Sequence, residues 1–204
     1  EPLASLEQRG FTVTLVPPTK EGYVNADAIA DALTENTGLV SVMHVNNETG
    51  VIQPIDDIAI LLQDHDAFFH TDAAQSFGKI FNTLTNKRID LISSSGHKIG
   101  ASMGVGFLLT RRRGYHKIPL TPLQFGGSQE RGLRGGTVAA PLVAGIGLAT
   151  ELAQQEQTER TQQCESFKNE VTSFITSIGG IINTGNAPVV PNIVSFRVPG
   201  LDAD

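Results

Sequence analysis

The chain has a single cysteine, Cys164, among its 204 residues, so no internal disulfide can form and a disulfide-stapled scaffold is excluded. One thiol fits a reducing compartment, and the cytoplasm is the expected setting. No apolar run is long enough to cross a bilayer. The most apolar stretch, Val138 to Ala149, is interrupted by Pro141, Gly145 and Gly147 and reads as the start of a buried helix. Positive charge is also scarce: 15 Lys and Arg against 21 Asp and Glu leave a formal net charge of -6. That balance argues against a general nucleic-acid binder, which neutralises phosphates with clustered basic residues. Arg111-Arg112-Arg113 is the one local exception, and it reads as a solvated strand end. There is no initiating methionine and no basic segment followed by an apolar one, so no secretory signal is visible and the natural N-terminus is expected to be missing. Internal repeats and low-complexity tracts are absent too.

What remains is ordinary globular material, 40% hydrophobic and 18% charged, long enough to bury one substantial core. Phe11 to Val16 alternates and stops at Pro17-Pro18, which predicts a strand near an edge. Asn25-Ala26-Asp27 opens a helical pattern closed by Thr37-Gly38. Leu39 to Val45 is nearly continuously apolar, Ile55 to Gln63 is helical in period, and Ala67 to His70 is apolar again. Such a βαβ series, with continuous rather than alternating strands, predicts a mostly parallel sheet buried on both faces by helices. Ile89 to Ser93 and Val105 to Thr110 extend it, and the link between them is too short for a helical crossover, so that pair is expected to be antiparallel. A glycine-rich loop from Phe125 to Thr137 precedes one long helix from about Val138 to Ile178, with Thr137 as its N-cap and Gly179-Gly180 as its stop. Asn192 to Val198 reads as a last strand. Residues 1–178 are expected to form a large domain and 179–204 the beginning of a smaller C-terminal one.

Ligands of open α/β sheets sit beyond the carboxyl ends of the parallel strands. Asn46-Asn47-Glu48, Asp72 with Gln75, and Ser95-Gly96-His97-Lys98 each follow an apolar run and should converge on that edge. Taken singly, these are ordinary turn, cap or core residues. Together they supply what pyridoxal phosphate needs: an amine for an imine, a carboxylate for the pyridine nitrogen, and donors for the phosphate and phenolic oxygens. Lys98 supplies the amine, its pKa expected to be lowered by burial and nearby cations; Asp72 supplies the carboxylate, and Gln75 can reach the phenolic oxygen. No metal is called for.

The runs His44-Val45-Asn46-Asn47-Glu48-Thr49-Gly50, Thr71-Asp72-Ala73-Ala74-Gln75, Ser95-Gly96-His97-Lys98 and Gly126 through Thr137 stand in one order along the chain. In this they resemble the cysteine desulfurase (NifS/IscS-like) branch of the class V aminotransferases, from about Val13 to Phe196. The resemblance implies the large domain of a fold type I pyridoxal-phosphate enzyme and a homodimer. Lys98 would carry the cofactor imine, Asp72 would pair with the pyridine nitrogen and Gln75 would contact the phenolic oxygen. Ser95 and His97 resemble phosphate ligands, Asn47 the residue between cofactor and substrate carboxylate, and Thr137 the one that reaches the neighbouring subunit's phosphate. The reaction implied is sulfur removal from L-cysteine, giving L-alanine and an enzyme persulfide that a sulfur-acceptor protein would discharge, as in iron-sulfur cluster assembly.

That reaction also needs a mobile, low-pKa thiol. Cys164 lies inside the expected long helix and matches no family motif, so it is expected to be a packing residue. The family's stacking histidine, its phosphate loop and its carboxylate-gripping arginine match nothing here, and the chain is therefore expected to be an inactive fragment of an active enzyme. Selenocysteine lyase and other class V relatives share Lys98 and Asp72. A truncated scaffold would have no physical use for an imine-forming lysine beside a carboxylate. A dinucleotide-binding dehydrogenase is disfavoured because the glycine-rich stretch lacks the Gly-x-Gly-x-x-Gly spacing and the later acidic residue.

Overall fold

The structure, a computed structural model, describes residues 2–201. The last three positions of the expected 179–204 segment lie outside them. After a short exposed helix α1 (Pro2–Gln8), Asn25 starts α2 (Ala26–Ala32) by accepting the Asp27 amide on its side chain at 3.0 Å. β1 (Leu39–Met43), α3 (Ile55–Leu61) and β2 (Phe68–Asp72) form the first βαβ unit, with Leu39 to Met43 paired in parallel to Phe68 to Asp72. β3 (Leu91–Ser95) adds in parallel to β2, and β4 (Gly106–Thr110) closes the sheet antiparallel, in the order β1-β2-β3-β4. The antiparallel turn follows from the short link between them, which holds only one 3-10 turn, Gly96–Ile99.

Strand alternation divides the sheet into two unlike faces. Val40, Val42, Phe69 and Ile92 pack against Ile29 of α2 and Ile55, Ile58 and Ala59 of α3. On the other face lie Leu39, Ser41 and Met43 of β1, His70 and Asp72 of β2, and Ser93 and Ser95 of β3. No described helix covers it: Leu39 is 54% and Met43 44% exposed. The expected burial on both faces therefore fails at β1, which is an edge strand with helices on one side only among the described residues. Phe11 to Val16, expected to be a strand, runs without ladder bonds because no described strand lies alongside it.

The single helix expected over 138–178 is two, α4 (Ala140–Gln155) and α5 (Gln157–Ser177), because Glu156 leaves helical geometry at φ -98° and ψ 3°. Beside the break, the Gln157 side chain donates to the Lys79 carbonyl at 2.7 Å, anchoring the start of α5 to the turn after β2. Thr137 is not the N-cap. Ala139 holds that position without a side-chain bond, and Pro141 occupies the first turn, where an amide would have no partner to lose. Ile146 and Ala149 of α4 pack on Ile99 beside Phe77, Val105 and Phe107. Gly78 sits at this junction with φ +79°, and a Cβ there would come within 2.6 Å of Ile99. Gly179, at φ +82°, ends α5 as expected. Of Asn192 to Val198 only β6 (Phe196–Arg197) is laddered, antiparallel to β5 (Ile181–Ile182), in a separate two-stranded sheet.

The amino end of the large sheet is tied by Asp90, whose side chain is only 4% exposed. It accepts from the Phe69 amide at 2.7 Å, from Arg88 at 2.8 Å and from Arg113 at 2.8 and 2.9 Å. Arg88 also donates to the Leu62, His65 and Ala67 carbonyls, closing the end of α3. Arg111 donates to the carbonyls of Leu84 and Asn86, so Arg111 and Arg113 are partly buried and bonded at the strand end, against the expectation of a solvated run; of the three only Arg112 is exposed. Burial pulls the Asp90 pKa up, but the Arg113 hydrogen bond, the Phe69 amide and the charges of both arginines outweigh it and hold the carboxyl below its usual range. That stabilisation is present above the ordinary carboxyl pKa of about 4 and is lost as pH falls through the lower folded value. Asp90→Asn, which leaves the buried Arg88 without its counter-ion, is expected to cost about 3 kcal/mol in urea denaturation at neutral pH. Its stability should also change less than the wild type's below about pH 4.

Candidate functional site

The parallel registers align three strand ends. Met43 is level with Asp72, Asp72 is level with Ser93, and adjacent strands lie about 4.8 Å apart. The chain leaves β1 into Asn46-Asn47, leaves β2 at Asp72, and leaves β3 at Ser95 into the turn that carries His97 and Lys98. The expected convergence on one sheet edge is therefore present for Asn47, Asp72, Ser95, His97 and Lys98. Neither of two clefts of about 400 Å³ includes any of them: one lies beside His44 and Pro188, the other around Asp90. The strand-end group is an open edge.

Local chemistry explains how each side chain is presented. Asn46 is the turn builder: its carbonyl oxygen accepts the Glu48 and Thr49 amides, both at 2.9 Å, and the Thr49 hydroxyl at 3.1 Å. That leaves Asn47 exposed at the tip. Asp72 spends one oxygen on the Ala74 amide at 2.8 Å and has no ion-pair partner among the described residues. The Ser95 hydroxyl meets His97 Nδ1 at 2.7 Å. In the turn after β3, Gly96 and Ile99 are buried while His97 and Lys98 face solvent.

One expectation needs correction here. Lys98 is exposed, so its amine is not the buried group expected from the sequence. The half-buried cation is Lys79, whose pKa is lowered first by burial and then by the charge of Lys98; its ammonium donates to the Gln75 carbonyl at 2.8 Å. Thr137 is exposed and makes no hydrogen bond to the strand-end residues among those described. Its glycine-rich loop is strained, with Glu130 and Arg131 at φ +47° and +60°.

Sequence reasoning passed over two histidines. His70, two residues before Asp72, shares its face by strand alternation, a signal available from the period alone. His44 lies in an apolar run that gives no such hint. It is almost fully buried, its Nδ1 lacks a partner among the described residues, and burial lowers its pKa to about 4 against the opposing charge of Asp56.

An amine, a carboxylate without a counter-ion and a hydroxyl-imidazole pair on one parallel-sheet edge define a site suited to a carbonyl cofactor bearing a phosphate. The whole of residues 1–204 matches the aminotransferase class-V family model, and the chain belongs to that family. Members of this family depend on pyridoxal phosphate, and the fold is type I. The chain is 43% identical over 189 residues to the mitochondrial cysteine desulfurase of Drosophila melanogaster, covering 92% of itself and 40% of that protein. DndA from Streptomyces lividans superposes with a TM-score of 0.90 at 41% identity, over 95% of this chain and 55% of that one. SspA in complex with cysteine gives a TM-score of 0.75 at 37% identity, over 93% and 52%. The chain thus spans about half the length, or less, of the proteins it matches.

His44 has a readable consequence for stability. A buried imidazole whose folded pKa is about 4 opposes folding once the unfolded chain can take up its proton. Stability should fall as pH drops from about 6.5 towards 4, and His44→Leu should flatten that part of the curve in denaturant titrations at stepped pH.

Proposed function

We propose that this chain supplies the cofactor-holding core of a cysteine desulfurase, in which Lys98 and Asp72 grip opposite ends of pyridoxal phosphate. The observation that carries the reading is the donor set at the strand ends: an exposed amine, a carboxylate without a cationic partner, and the Ser95-His97 pair. When bound, the cofactor supplies an electron sink that draws charge from the substrate α-carbon. Lys98 would hold the cofactor through its amine and, once freed, carry the α-proton. The open Asp72 oxygen would accept the pyridine N–H and keep that proton in place. Ser95 and His97 would donate to the phosphate, Gln75 to the phenolic oxygen, and Asn47 would orient the substrate carboxylate from the tip of its turn. A cysteine substrate is supported by the names of the relatives and by the cysteine complex of SspA.

A homodimer belongs to the same reading, and it gives Thr137 a role that its own strand ends do not. Tyr115, Leu123 and Phe125 are strongly exposed on the segment leading to Thr137, as a subunit contact would require. A sulfur-acceptor protein would take the product sulfur. No described helix is long and apolar enough to cross a membrane. A cytoplasmic setting rests on the sequence alone, and the Drosophila relative is named as mitochondrial. Cys164 is a partly buried residue within α5 and lacks the mobility that a sulfur-accepting thiol needs, so it is assigned no part in the chemistry.

Borohydride reduction of protein incubated with pyridoxal phosphate should fix one equivalent on the peptide carrying Lys98. Lys98→Ala should abolish it, and undiminished labelling of that variant would refute the assignment. Alanine and sulfide release from cysteine by these 204 residues alone should stay at background.

A further inference from the structure

Beneath Asp72 on the open face of the sheet lies a bridge that the proposed chemistry does not use. His70 Nδ1 meets the Ser41 hydroxyl of β1 at 2.8 Å, and His70 Nε2 meets the Ser93 hydroxyl of β3 at 3.1 Å. The three side chains span three adjacent strands in a row. Asp72 is the next residue on that face of β2, flanked by Met43 at the same level of β1. A neutral imidazole donates from one ring nitrogen and accepts at the other, and a serine hydroxyl can satisfy either.

The surroundings keep the ring in that form. Burial lowers the His70 pKa, and only the charge of Asp72 opposes it. β1 presents Leu39, Ser41 and Met43 to this face, β3 presents Leu91, Ser93 and Ser95, and β2 itself adds Phe68. Asp72 is therefore the one ionisable group facing His70 from these strands. Were the ring cationic, it would compete for the carboxylate.

We propose that His70 is a positioning residue for Asp72: it ties together the strands on either side through Ser41 and Ser93, and as an uncharged ring leaves the carboxylate free for the cofactor's pyridine nitrogen. The inference rests on the reading that Asp72 receives that nitrogen. His70 touches neither substrate nor cofactor in this role. It fixes the strand from which the carboxylate projects, and it withholds a positive charge.

The test uses protein loaded with pyridoxal phosphate, titrated across neutral pH by visible absorbance. A charged pyridine ring makes the Lys98 adduct lose its imine proton more readily. A loosened Asp72 should therefore move the midpoint of the colour change upward by about one unit. His70→Phe, and the pair Ser41→Ala with Ser93→Ala that keeps the ring but removes the bridge, should both show this shift. Cofactor affinity should fall on the order of tenfold, the scale for groups that orient a ligand-holding residue. His70→Asn, which keeps one hydrogen bond, should recover part of both. A purely structural role would lower thermal stability and leave the midpoint in place; an unmoved midpoint in both variants overturns the proposal.

Failure of the wild type to form any coloured adduct would count against the functional reading instead. Nitrogen-15 spectra of the cofactor-free protein then judge the bridge separately. One fixed neutral tautomer of His70 that is lost in the double serine variant supports it, and averaged tautomers in the wild type overturn it.

Discussion

The parallel registry of β1, β2 and β3 is the constraint on which the site depends. Hydrogen-bonded ladders leave no freedom to slide, because a one-residue slip would turn every side chain to the opposite face. With Met43, Asp72 and Ser93 level, the segments that follow must leave the sheet side by side. Asn47, Asp72, Ser95, His97 and Lys98 are separated by up to 51 positions in sequence, yet the sheet delivers them to one edge. The opposite edge is tied down by Asp90 and two arginines, so the strands are fixed at the amino end and left with open chemistry at the carboxyl end.

The two faces of that sheet carry different duties. Ile55, Ile58 and Phe69 close one face into a core. The other bears Asp72 and, beside it, Ser41, His70 and Ser93, whose hydrogen bonds to one another run from strand to strand rather than to a covering helix. A polar row on a central parallel strand is costly to leave unpaired, and here the serine hydroxyls satisfy the imidazole. The junction at Gly78 shows the same economy of space: only a residue without Cβ allows the turn after β2 to lie against Ile99, next to Lys98.

Much of this was legible from the residues. The βαβ order, the antiparallel β4 and the identity of the strand-end groups follow from apolar runs, a link too short for a crossover, and polar residues placed just after strands. What failed did so for physical reasons. Phe11 to Val16 has strand chemistry but no neighbour among the described residues to pair with, and a ladder needs two strands. Leu39 to Val45 is apolar enough for double burial, yet hydrophobicity along a strand does not say what stands opposite it. The break at Glu156 is a tertiary effect, sited where Gln157 reaches the Lys79 carbonyl, and no glycine or proline marks it. The exposure of Lys98 was invisible because a 3-10 turn, not a helix, follows β3 and points His97 and Lys98 outward. His70 was overlooked although period-two reasoning from Asp72 would have placed it on the same face.

The claim that Asp72 and Lys98 together hold a pyridoxal ring is tested most directly at the nitrogen between Asp72 and that ring. Nitrogen-15 NMR of protein loaded with ring-labelled pyridoxal phosphate should show a protonated pyridine nitrogen at neutral pH, and Asp72→Ala should lose that proton. An unprotonated nitrogen in the wild type, or the same protonated signal in the variant, would contradict the account.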